Sequence, residues 1–187
     1  MIYQRTIKNI VKVSGIGLHS GKLSNLTLRP LDANSGVIFR KIHNHSDFID
    51  INANNYNTVS SELSTTIEKD GHTIKTIEHL MATFYGLGID NIMVEIDNEE
   101  IPILDGSASP FVFLIKSAGI EIQSSRKKFI KILKPVEIFK DDLFVKFLPY
   151  NGFKVTFQVD FQHPFFNRNN QILEIDFADV SFEDEIS

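Results

Sequence analysis

Short runs of alternating apolar and polar residues dominate the first half of this chain, and they leave it little choice but a sheet. Thr6 to Val13, Ser24 to Arg29 and Val37 to Lys41 carry the two-residue period of half-buried strands. Gly15, Gly17, Gly21 and the turn Asp32-Ala33-Asn34-Ser35-Gly36 separate them. Ser64 to Glu68 and His72 to Lys75 add a hairpin around Lys69-Asp70-Gly71. The period then changes. Thr76 is placed to cap a helix on which Ile77, Leu80, Met81, Phe84 and Leu87 share one face, and Gly86 and Gly88 stop it. After a strand over Asn91 to Asp97, Ser109-Pro110 supplies a cap and a first-turn proline for a second helix running to Gly119. Strands followed by two helices predict an α+β layer arrangement with its own core.

Around Glu121 to Lys128 the chain turns polar and basic, which predicts a division into a first α+β domain over 1–124 and a second over 125–187. Strand-like runs return at Phe129 to Phe139, Leu143 to Leu148, Phe153 to Phe161 and Ile172 to Phe177, and Ala178 to Ser187 starts a third helix. The order of the first half is repeated without its helices. A sheet whose apolar face has no helical cover is marginal, so the expectation is a second α+β domain, truncated after its first strands.

Composition narrows the functional classes. With no cysteine among 187 residues, disulfides and thiolate metal sites are excluded, and any metal must be held by His, Asp or Glu. A net charge of −5 argues against nucleic acid as a partner, because that binding rests on neutralising phosphates. No run approaches the roughly 18 apolar residues of a spanning helix. The opening Met1-Ile2-Tyr3-Gln4-Arg5-Thr6-Ile7-Lys8 lacks an apolar signal core, so a cytoplasmic location is expected.

Four segments hold candidate chemistry. Glu78-His79 sits in the first helical turn, where an imidazole can ligate zinc and an adjacent carboxylate can take a proton from water. The same pair also fits a plain solvated helix surface, since the two-histidine spacing of the metalloprotease helix is absent. Gly15-Ile16-Gly17-Leu18-His19-Ser20-Gly21 precedes a strand, which fails the context of a dinucleotide loop; it reads as a turn presenting His19, or simply as a glycine hairpin. Within Glu100 to Pro110, Asp105 is a catalytic candidate, with fixing of loop amides as its other reading. Asp160-Phe161 at a strand end pairs an acid with an aromatic, as needed to hold a flat ring, while Phe161 fits core packing equally. Arg126, Lys127, Lys128, Lys131 and Lys134 read as a solvated face or as phosphate contacts. His43, His45 and His72 carry no assignment.

The order of these segments is more specific than any one of them. Val13 to Gly21, Thr76-Ile77-Glu78-His79-Leu80, Gly86 to Asn91, Ile101 to Phe111, Pro149 to Phe153 and Asp160-Phe161-Gln162-His163-Pro164 together closely resemble the UDP-3-O-acyl-N-acetylglucosamine deacetylases, zinc amidases of lipid A biosynthesis. The resemblance spans essentially the whole chain. It implies two similar domains, each a sheet with two helices, packed as a β-α-α-β sandwich with the site at their junction. It implies Zn2+ as cofactor, with Glu78 as general base, His79 as a zinc ligand, His19 near the site, and Asp160 and Phe161 on the uracil of the substrate. The family's other ligands, in a His-x-x-x-Asp motif, its acid histidine and its oxyanion threonine have no counterpart in these 187 residues. Many members place a phosphate-directed lysine where Leu143 stands here, with Lys140 and Lys146 as nearby replacements. The expectation is therefore a deacetylase chain inactive by itself, the alternative being a truncated pseudoenzyme that binds UDP-sugar or a partner chain.

Overall fold

The computed structural model of the chain describes residues 2–44, 47–160 and 171–187. It is α+β, as the sequence predicts, and divides into two compact units, the first made of the chain up to Lys127 with Ile186–Ser187 and the second of Lys128–Glu185.

The first unit is organised by a five-stranded sheet in the order β2-β3-β9-β4-β5. These are β2 (Val11–Ile16), β3 (Leu23–Pro30), β4 (Val37–Asn44), β5 (Asp47–Asn52) and β9 (Ile92–Ile96). All neighbours are antiparallel except β4 and β9. The register lines up Leu26 with Ile96, Leu28 with Val94, and Phe39 with both Val94 and Ile51, so these buried apolar residues share one face, while Met93 of β9 is buried on the other. The opposite face carries charge, with Arg29 on Glu95 and Arg40 on Asp50, each pair at 2.6 Å. Alternation in sequence has become alternation across a sheet.

Two helices supply the rest of the core. Helix α1 (Glu78–Leu87) buries Leu80, Thr83, Phe84 and Leu87, and α2 (Ser109–Ala118) buries Phe111, Val112, Ile115 and Ala118. They pack against one another, and α2 also meets β2. Helix α1 stops at Gly88, whose φ of 68° lets its N–H reach back to the carbonyls of Phe84 and Tyr85. A smaller sheet joins β6 (Thr58–Ser60), β7 (Thr66–Lys69) and β8 (His72–Ile74). Its hairpin turns through Asp70 and Gly71, both at positive φ, as an Asp-Gly turn requires.

Several local expectations are corrected. Thr76 does not cap α1: the cap position is Ile77, and Thr76 lies before it at φ +59°. Ser109 is the first residue of α2, not its cap; its N–H donates to the Ser107 hydroxyl at 3.2 Å. The run from Thr6 to Val13 is broken, because β1 (Tyr3–Ile7) leaves the main sheet to pair with β10 (Ile120–Arg126). The polar stretch Glu121 to Lys128 holds most of β10, and the division between the two units falls at its end. Its polarity has a use: Gln123 Oε1 accepts from Asn91 Nδ2 at 2.7 Å, and Gln4 Oε1 accepts from the same amide at 2.9 Å. Asn91 is buried, and Gly36 N–H donates to its Oδ1, so both N–H donors and the oxygen of the amide are engaged where an orphan would be costly.

The second unit holds the antiparallel pairs β11 (Val136–Lys140) with β12 (Leu143–Phe147), and β13 (Lys154–Gln158) with β14 (Ile172–Asp176). The sequence extends these strands further than the structure does, and the third helix, α3, is four residues long, Phe182–Glu185.

Candidate functional site

Glu78 and His79 form the first two residues of α1, and both are half-buried. The Thr65 N–H donates to Glu78 Oε2 at 3.0 Å, which fixes the carboxylate against the segment leading into β7. The buried stripe of α1 begins at Leu80 and continues through Thr83, Phe84 and Leu87, so the acid and the imidazole lie off it. Asp105 is exposed in the loop before α2, with Ser107 N–H and hydroxyl donating to its Oδ1 at 2.9 and 2.8 Å. Those two bonds hold its carboxyl below the usual range, and the nearby His79 charge adds a smaller contribution. Asp105 thus does the amide-fixing work that the loop reading anticipates, within electrostatic reach of His79.

The glycine turn between β2 and β3 presents His19 at the surface. Its backbone amides have an internal partner. Glu100, only 1% exposed, accepts the His19 N–H on Oε1 at 2.9 Å and the Ser20 N–H on Oε2 at 2.7 Å. The Thr76 hydroxyl donates to Oε1 at 2.9 Å. A carboxylate already fills the concavity that a phosphate loop would offer to a ligand. Gly17 is required by this packing: a Cβ there would stand 2.5 Å from Glu100 Oε2. Burial opposes ionisation of Glu100, yet the Ser20 hydroxyl, the His19 and Ser20 N–H groups and the Thr76 hydroxyl together pull its carboxyl down to about 2.

Sequence reasoning missed Glu100. It follows another glutamate and opens an apolar run, and nothing local marks it for burial; its partners lie 81, 80 and 24 positions away. The structure therefore links the His19 turn to the residue two positions before Glu78. Asp160 lies in the second unit, exposed, just beyond the end of β13. Phe161 and His163 lie outside the described residues, as does His45.

The chain is thus α+β, with an acid–imidazole pair at a helix start tied through Glu100 to a turn that presents a second imidazole. The family model for LpxC, UDP-3-O-acyl N-acetylglycosamine deacetylase, matches residues 4–187, and the chain belongs to that family. Its members are deacetylases of lipid A biosynthesis acting on a UDP-linked acyl-glucosamine. No helix among the described residues is long and apolar enough to cross a membrane.

The family is one of metalloenzymes. Among the described residues, no three or more His, Asp or Glu side chains stand together as a metal-binding group. Asp105 lies within electrostatic reach of His79, and that carboxylate is engaged by Ser107. A catalytic zinc takes three protein ligands, so the described residues do not by themselves fit one.

Proposed function

We propose that this chain carries the base side of a zinc amidase site that removes the N-acetyl group from UDP-3-O-acyl-N-acetylglucosamine. Glu78 is the general base. With Oε2 held by the Thr65 N–H, its Oε1 is directed to a water, from which it takes a proton as the oxygen attacks the acetamide carbonyl. Attack converts that carbonyl to a tetrahedral oxyanion. His79 is one zinc ligand, with the remaining donors supplied from outside the described residues. His19 borders the reacting acetamide, while Asp160 hydrogen-bonds and Phe161 stacks on the uracil. The protein works in the cytoplasm, where this nucleotide sugar is made. The observation that carries this reading is the family match over residues 4–187 together with the half-buried acid–imidazole pair at the α1 start.

One consequence is sharp. Among the described residues His79 is not joined by two further donors, so the 187 residues alone are expected neither to retain an equimolar zinc ion through dialysis nor to turn over the substrate. Metal analysis and a deacetylation assay on the purified chain check this. Tight one-to-one zinc with turnover would overturn it. That the described residues hold no metal-binding group also supports a second reading, a non-catalytic UDP-sugar binder; calorimetric UDP binding independent of zinc is its signature, and no binding excludes it.

A further inference from the structure

We propose that Glu100 is a positioning residue of this site, locking the His19 turn and the start of the Glu78–His79 helix into one rigid piece. The proposal rests on the functional reading above for what is being positioned, but its geometry is independent of it. Both oxygens of the buried carboxylate are engaged, with the turn on both and the helix approach on Oε1. The backbone repeats the linkage. Lys75 N–H donates to the Glu99 carbonyl at 2.8 Å, and Ile101 N–H donates to the Lys75 carbonyl at 3.1 Å, so Glu100 is clamped beside Thr76 on either side.

Thr76 shows that the clamp has a conformational consequence. A β-branched residue at φ +59° is a genuine outlier, held only where its surroundings over-determine it. Its hydroxyl, which a helix start would use as a cap, is turned to Glu100 instead. The direction in which α1 leaves residue 76 is thereby set by the same carboxylate that sets the turn carrying His19. Gly17 provides the room for it. A brace that only stabilised the fold would have no need to force the residue two before the base into the left-handed region.

The test is NMR of the 187-residue chain, with amide and histidine ring resonances followed in Glu100→Gln, Thr76→Val and Thr76→Ser. A Gln amide presents an NH2 group to at least one of the donors that the carboxylate now satisfies. In Glu100→Gln, amide exchange at His19 and Ser20 is expected to accelerate at least tenfold, while the Glu78 and His79 amides and the His19 and His79 ring signals all shift. Thr76→Val removes only the hydroxyl on Glu100 and is expected to move the His19 and Ser20 amides; Thr76→Ser, which keeps it, stays close to wild type. If Thr76→Val perturbs residues 75–80 alone, or Glu100→Gln lowers the melting temperature with the His79 ring unmoved, Glu100 is a brace and the proposal fails. None of these signals requires turnover. Loss of the His79 response to zinc would sink the functional reading and leave these shifts in place.

Discussion

Glu100→Ala is expected to destabilise the chain by about 3–5 kcal/mol, because it strands two backbone N–H groups and a hydroxyl that share one buried acceptor. Each orphaned donor costs roughly 1–3 kcal/mol, softened where the Thr76 hydroxyl rotates or water enters the space left behind. Calorimetry would read this as a fall in Tm of about 10–20 °C. The same carboxylate sets an acid dependence. Its folded pKa, about 2, lies below the ordinary 4.5, so the ionised form is favoured by folding. Its contribution is therefore complete above roughly pH 5 and is lost as pH falls towards 2, amounting to about 3 kcal/mol. Urea unfolding across that window is expected to show a steeper acid loss in wild type than in Glu100→Gln. Equal slopes would mean that folding does not favour the ionised carboxylate.

Phe84→Ala is expected to cost about 3–5 kcal/mol, the range for emptying a buried aromatic site. Phe84 is 1% exposed in the middle of α1, and its carbonyl also accepts the Ile89 N–H at 2.8 Å beyond the helix end. Phe113, on α2, is 70% exposed and provides the contrast. Phe113→Ala is expected to stay within about 0.5 kcal/mol of wild type. Denaturant midpoints of the two variants decide the matter. Similar losses would show that the α1 face is not the core described here.

What the sequence discloses and what it conceals divide along the range of the interactions. The hairpin at Asp70-Gly71, the buried stripe of α1 and its stop at Gly88 depend on residues within one or two turns of each other, and all are readable locally. Thr76 misleads because its hydroxyl has two possible partners. A cap would bond an amide two or three residues on, whereas the structure uses a carboxylate 24 residues away. β10 misleads for a similar reason. Its polar residues look like a linker until Asn91 is seen to need Gln123, and β1 to need a partner more than 110 positions along the chain. The ordered motifs identify the family, but the residue joining the His19 turn to the approach to α1 sits in none of the expected roles. Buried charge is set by partners that arrive only on folding, and no local pattern announces it.

In the proposed site His79 ligates zinc beside Glu78, in a donor set that the described residues do not complete. Zinc titration of the histidine-labelled chain, followed through the ring resonances of each imidazole, tests it most directly. The His79 ring signal is expected to respond first, with weak and readily reversible binding, and His79→Ala to remove the response. Tight binding that moves His43 or His72 while leaving His79 untouched would contradict it.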